Sequence, residues 1–169
     1  MNLSQLANIA EFVGGIAVVV TLVYLAIQIR QTSKTTHASA VATLLAQYDS
    51  PNAAIATNVE TARAFRLGVE GSSELNPDEK MQFQVLMLQF MAVLHTAYEF
   101  RSEGILTEAQ WQIYRRDIAE FSGQPGVRAL HPYFHSYYSP DAGFVDELKR
   151  MESENAENAG PTFMDAIEK

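Results

Sequence analysis

The histidines are the side chains of this chain best suited to acid–base or metal chemistry, and three of the four have a partner at helical spacing. His131 and His135 lie four residues apart, so on a helix they would share one face and could bind a metal ion. Pro132 would distort that helix, and no third ligand is obvious. His95 and Glu99, also four apart, could form a metal or acid–base pair, although a buried, hydrogen-bonded histidine is the commoner outcome. The sequence therefore predicts no metal site and no cofactor.

Arg128 and His135 form the pair whose spacing matches a known catalytic motif. The pattern Arg-x6-His fits the permissive Arg-x(4 to 6)-His motif of HEPN-type ribonucleases. The resemblance implies that His135 and Arg128 would activate the ribose hydroxyl and stabilise the phosphate of an RNA substrate. Pro132 falls inside the motif and the chain is acidic, so catalysis by these residues is the least favoured of three functional hypotheses.

The charge and composition of the chain exclude several other functions. It has 20 acidic and 12 basic side chains, a formal net charge of −8, and no tract rich in Lys or Arg. Nucleic-acid-binding proteins usually present a basic patch, so we expect no nucleic acid as a partner. The absence of cysteine excludes disulfides, Cys-ligated zinc, iron–sulfur clusters and a thiol nucleophile.

An apolar run near the start of the sequence predicts a membrane anchor. The run from Phe12 to Ile29 reads FVGGIAVVVTLVYLAIQI, and its only ionisable side chain is Tyr24. As a helix it would span about 27 Å, close to the thickness of the hydrocarbon core of a bilayer. A cleaved signal peptide fits less well because no Lys or Arg precedes the run. A buried helix of a soluble protein is the other alternative.

The charges beside this run predict its orientation. Arg30 and Lys34 are the basic side chains nearest to it, and both follow it. Basic flanks stay in the cytoplasm, so we expect a single span of the bacterial inner membrane with the C-terminal domain in the cytoplasm. The predicted domains are a short tail at 1–11, the transmembrane helix at 12–29, a cytoplasmic helical bundle at 30–154 and a polar flexible tail at 155–169.

Small and polar residues form a stripe along the predicted membrane helix. They recur alternately three and four residues apart, which is the spacing of the seam between two helices of a left-handed pair. Close helix packing in lipid uses such residues, so the stripe predicts a homo-oligomer. The seam consists of Ala10, Gly14, Ala17, Thr21 and Gln28, and the large residue Tyr24 occupies the position between Thr21 and Gln28 at this spacing. If the subunits form a ring, Thr21 and Gln28 would face a central lumen. The alternative is that the stripe arises by chance, because Ala and Gly are common in membrane helices.

The remaining sequence predicts an all-α fold, because no segment shows the sustained alternation of a strand. Helices are expected at about 4–48, 51–67, 77–103, 107–121 and 140–154, with another from Pro125 that Pro132 interrupts. The starts follow from caps: Ser50 precedes Pro51, Asn76 precedes Pro77, and Thr107 has Gln110 three residues on. Gly68 is expected to end the second helix. A short amphipathic turn is predicted at 163–167.

The helix at 77–103 is apolar around much of its circumference, which predicts the centre of the bundle. A second membrane span is the alternative, but glutamines and a histidine break the run and charges crowd both ends. The residues expected in the core are Phe83, Leu86, Phe90, Leu94 and Trp111.

Four segments carry a resemblance to a known group of proteins. They read GGIAVVVTLVYLAIQIRQTSK, EGILTEAQW, PGVRALHPYF and SPDAGFVDEL. With these segments the chain resembles a widespread group of uncharacterised bacterial single-span membrane-anchored helical proteins. The resemblance implies one span and a helical domain, and it implies no catalytic residues. Around His131 and Pro132 the chain departs from the unbroken helix, rich in Trp and Arg, that the group would have there.

A looser similarity, in architecture, is to CRISPR-associated ring-forming membrane proteins with a HEPN-like domain. Three functional hypotheses therefore stand. The first is a homo-oligomeric scaffold or interaction module without evident catalysis, anchored in the lipid bilayer, with its protein partner unknown. The second is a ring-forming pore or channel subunit, and the third is the HEPN-like ribonuclease effector at Arg128 and His135.

Overall fold

In this computed structural model the backbone is described for residues 3–157 and the side chains for residues 11–155. The described backbone contains helices and no strand, which confirms the all-α prediction. The helices are α1 Leu3–Thr57, α2 Val59–Glu70, α3 Pro77–Ser102, α4 Glu108–Ser122, α5 Pro125–Arg128, α6 His131–Tyr137 and α7 Ala142–Glu157. The turn expected at 163–167 lies outside the described residues, and residues 155–157 of the predicted tail belong to α7.

The chain divides into two units after Ala40. The first unit contains the apolar part of α1. This helix begins at Leu3, so it includes most of the predicted tail at 1–11. All side chains from 11 to 29 are exposed. Within the described residues, one helix is long and apolar enough to cross a membrane, and it is α1.

The second unit begins at Val41 and includes the last part of α1, residues 41–57. The break predicted at Ser50–Pro51 is wrong, because α1 continues to Thr57. Proline inside a helix loses one backbone hydrogen bond and normally destabilises it. Here the ring of Pro51 is fully buried, and the Asn52 side chain donates to the Tyr48 carbonyl over 2.7 Å. Burial of the ring offsets the lost backbone bond, which would run from position 51 to the carbonyl of residue 47.

Helix α2 begins after Asn58, whose side chain accepts a hydrogen bond of 2.9 Å from the Thr61 amide. The predicted end at Gly68 is wrong, since the helix ends at Glu70 and Gly71 caps it with φ of +71°. Position 68 requires glycine for a different reason, because a side chain there would collide with the ring of Phe83 on α3. A close helix contact and a left-handed cap both need glycine, and the sequence alone does not separate the two causes.

Helix α3 is the centre of the bundle, packed against α2 and α4. Its predicted start is confirmed, because Asn76 accepts from the Glu79 amide over 2.9 Å and the Glu79 carboxylate accepts from Asn76 in return. Thr107 and Gln110 form the same kind of capping box at α4. All five core residues expected from the sequence are buried: Phe83, Leu86, Phe90, Leu94 and Trp111.

The segment after α4 differs from the prediction in its boundaries. Pro132 lies in the first turn of α6, so it starts a helix instead of interrupting one. Ser139 and Pro140 precede α7 as a loop, and Asp141 is the residue that caps α7, accepting from the Phe144 amide over 3.0 Å. Aspartate caps a helix about as well as serine does, and its negative charge also interacts favourably with the helix N-terminus.

Candidate functional site

Glu152 on α7 joins the two histidines of α6. Its Oε1 lies 2.9 Å from His135 Nε2 and 3.3 Å from His131 Nδ1. The rings stack with centroids 6.3 Å apart, as their spacing of four residues predicts. One carboxylate oxygen therefore lies against both rings. Among the described residues, no group of three or more His, Cys, Asp or Glu side chains has the geometry to hold a metal.

Arg128 lies at the end of α5 with its side chain exposed. Burial lowers the pKa of His131, Glu152 opposes that shift, and the positive charge of Arg128 is a smaller contribution that lowers it further. Glu152 lies against both His131 and His135, so these contacts connect α6 to α7. The ribonuclease role of Arg128 and His135 stays a prediction.

His95 also connects two helices, and its contact lies at the start of α7. Its Nε2 lies 3.1 Å from Asp141 Oδ2, and its Nδ1 is 4.0 Å from Glu99 Oε2. The ring packs against Tyr138 and Phe144 at centroid distances of 5.0 and 4.7 Å. The Phe144 amide and then His95 lower the pKa of Asp141. His95 is therefore a partly buried, hydrogen-bonded histidine that attaches α3 to the start of α7.

Arg115 on α4 forms a largely buried ionic contact. Its Nε donates to Glu147 and its Nη2 to Glu154, each over 2.7 Å. The Glu147 side chain is 4% exposed and also contacts Arg150. Together, the contacts of Arg115 and of the three histidines involve ionisable side chains along α7 and its cap, from Asp141 to Glu154.

The predicted seam lies on the exposed part of α1. Gly14, Ala17, Thr21 and Gln28 are all exposed, and the side chain of Ala10 is outside the described residues. A side chain added at Gly14 would meet nothing within 4 Å. Thr21 Oγ1 donates to the Ala17 carbonyl over 2.8 Å, so its hydroxyl is satisfied within the helix. A single chain does not test whether a second helix packs here, and the seam stays a prediction.

A cavity of about 820 Å³ opens in the second unit between the end of α1, α2, α3 and α4, and we call it the bundle cavity. This volume falls within the range of ligand pockets, about 300–1,000 Å³. Most of its lining is apolar, including Ile55, Phe65, Met87, Phe90, Ile118 and Phe121. No motif in the sequence indicates this cavity, because its shape depends on how four helices pack.

Charged residues line two walls of the bundle cavity. Arg63 and Arg66, three apart on α2, form one wall, and Asp117 and Glu120 on α4 form another. The Tyr48 hydroxyl lies 3.3 Å from Asp117 Oδ2. Burial and the Asp117 charge raise the pKa of Tyr48, so the phenol stays protonated at neutral pH and donates to the carboxylate.

The spacing of Arg63 and Arg66 was the one signal in the sequence that could have indicated a charged helix face here. Nothing in the sequence connects Tyr48 with Asp117, which are 69 residues apart. Comparison with protein-family models, with curated proteins and with solved structures gives no match to this chain.

Proposed function

We propose that this chain is a single-pass protein of the bacterial inner membrane that acts as a homo-oligomeric scaffold or interaction module, with its helical bundle in the cytoplasm. The observation that carries the proposal is the exposure of α1. Between residues 12 and 29, twelve large apolar side chains are each at least 44% exposed. At roughly half of 1.5 kcal/mol each, leaving them in water would cost about 9 kcal/mol, comparable with the whole net stability of a domain. A bilayer removes that cost.

The polar members of the seam support association in the membrane. Gln28 carries an exposed primary amide at the end of the apolar run, and such a group lacks water partners if it faces hydrocarbon. A second copy of the helix can supply those hydrogen bonds. The open space at Gly14 allows the two backbones to approach closely on the same face.

The anchor is tested by fractionation. The full chain should sediment with membranes and resist alkaline carbonate, and deleting residues 1–30 should release it. A full-length protein that is soluble and monomeric without detergent would contradict the anchor.

The seam is tested by matched substitutions on the two faces of α1. Gly14→Leu or Ala17→Leu should separate the helices and shift the detergent-extracted protein towards monomer, measured by mass photometry. Val19→Leu and Val23→Leu, on the opposite face, should change little. Equal effects on both faces, or a wild-type protein that is already monomeric in mild detergent, would refute the scaffold. A ring large enough to enclose a lumen would favour the pore instead of the scaffold.

A further inference from the structure

The bundle cavity lies wholly in the second unit, and its walls combine aromatic rings with charged side chains. Its volume of about 820 Å³ matches that of pockets that hold drug-sized ligands. Such pockets are mostly apolar and carry a few polar groups that select the ligand. The side chains of the walls therefore indicate which class of molecule fits.

Four aromatic residues of the lining, one on each of helices α1 to α4, contact one another in a row. The ring centroid of Tyr48 lies 6.4 Å from that of Phe90, which lies 6.0 Å from that of Phe65. The Phe65 centroid lies 5.7 Å from that of Phe121 on α4. We call this row the aromatic wall. Aromatic rings attract organic cations, because their faces carry partial negative charge.

The carboxylate of Asp117 lies beside the aromatic wall. Its Oδ2 accepts a hydrogen bond of 3.3 Å from the Tyr48 hydroxyl, and Phe121 follows it by four residues on the same face of α4. Glu120 adds a second carboxylate to the lining. Among the described residues no Lys, Arg or His forms an ion pair with Asp117, so the partner of its charge is a neutral phenol. A half-buried carboxylate of this kind favours a ligand that brings a positive charge.

The arginines of the lining are less available to a ligand. Arg63 is paired with Glu79, and Arg66 lies 3.4 Å from Glu70. Each arginine thus has a carboxylate partner, whereas Asp117 has no partner of opposite charge among the described residues. This asymmetry favours a cationic ligand over an anionic one.

We propose that the bundle cavity binds a hydrophobic organic cation. The positive charge of the ligand lies against Asp117, and its apolar body packs on the aromatic wall. The Tyr48 hydroxyl holds the carboxylate in place by donating to Oδ2 and leaves Oδ1 for the ligand. The proposal concerns the second unit alone and does not depend on oligomerisation of the anchor.

Two probes of similar shape and opposite charge test the proposal. Tetraphenylphosphonium is a permanent cation with an aromatic surface, and tetraphenylborate is its anionic counterpart. Each is titrated by calorimetry into the full-length protein in nanodiscs of zwitterionic lipid, and the heat measured with empty nanodiscs is subtracted. We expect tetraphenylphosphonium to saturate one site per chain and to bind roughly tenfold more tightly than tetraphenylborate.

The variant Asp117→Asn keeps the shape of the side chain and an oxygen that accepts from Tyr48, but it removes the negative charge. We expect this variant to bind tetraphenylphosphonium roughly tenfold more weakly than wild type. The matched control is Asp146→Asn on α7, because it changes the net charge equally at a side chain that is 80% exposed and does not line the cavity. The control should leave the dissociation constant unchanged.

The location of the site is tested by filling the cavity. Ala62 lines it from α2, so Ala62→Phe should weaken binding of the cation in a protein whose helix content by circular dichroism matches wild type. Unchanged binding in this variant would overturn the proposal, because the probe would then bind elsewhere. The same conclusion follows if no saturable binding exceeds that of empty nanodiscs, if tetraphenylborate binds as tightly as tetraphenylphosphonium, or if the two aspartate substitutions have equal effects.

Discussion

Replacing Arg115 by methionine should destabilise the bundle more than any other single loss of charge on α4. The substitution removes two hydrogen bonds of 2.7 Å, to Glu147 and to Glu154, and leaves Glu147 buried at 4% exposure. Breaking a buried ion pair by removing one partner costs about 3–5 kcal/mol. Arg150 still contacts Glu147, so we expect a loss of about 2–4 kcal/mol in the free energy of unfolding.

The assay is thermal unfolding of the protein in nanodiscs, followed by circular dichroism at the helical band. For a chain of this size each kcal/mol corresponds to about 2–4 °C, so the melting temperature should fall by roughly 5–15 °C. The matched control is Arg116→Met, the neighbouring arginine on the same helix, whose side chain is exposed. We expect the control to stay within about 0.5 kcal/mol of wild type.

The double variant Arg115→Met with Glu147→Met shows whether the loss of stability comes from an unpaired buried charge or from lost packing. If the cost of Arg115→Met comes from the buried carboxylate, removing that carboxylate should restore much of the stability. A double variant whose loss equals or exceeds the sum of the two single losses would refute the reasoning. An effect of Arg115→Met no larger than that of Arg116→Met would refute it as well.

Three further variants test other contacts in the bundle. Leu94→Ala, at a fully buried position, should cost about 2–5 kcal/mol in urea unfolding, against less than about 0.5 for the half-exposed Val85→Ala on the same helix; similar losses at both would place the core elsewhere. Gly68→Ala should cost about 1–3 kcal/mol because its methyl group would collide with the Phe83 ring, and a neutral result would show that α2 and α3 can separate freely. The lowered pKa of Asp141 means that its carboxylate stabilises the fold above its ordinary pKa of 3.8, and that this contribution disappears as the pH falls through the lower value of the folded state. Asp141→Asn should therefore lower the melting temperature at pH 7 and match wild type in strong acid, and a difference that does not change with pH would contradict this role.

Local signals in the sequence predicted the starts of α3 and α4 correctly. Asn76 and Thr107 start helices because their side chains satisfy amides within one turn, and that interaction needs no distant partner. Pro51 and Gly68 misled the prediction because each is tolerated inside a helix through tertiary packing. Packing of this kind depends on residues remote in sequence, such as Phe83 for Gly68.

The difference between local contacts and contacts with residues remote in sequence also matters for the candidate sites. The spacing of His131 and His135 was enough to predict a shared face, but their common partner Glu152 is on another helix. No signal in the sequence indicated the carboxylate that lies against both rings. The bundle cavity was not predicted at all, because its walls come from helices α1 to α4 and no single segment marks it.

The ionic contacts of α7 lead to one further prediction. Asp141, Glu147, Glu152 and Glu154 attach this helix and its cap to α3, α4 and α6. Weakening the contact of α7 with α4 should therefore allow α7 to separate from the bundle more often. We expect Arg115→Met to speed hydrogen exchange of the backbone amides of α7 at a temperature where the bundle is still folded. Arg116→Met should not speed it, and equal exchange rates in the two variants would show that α7 is held independently of Arg115.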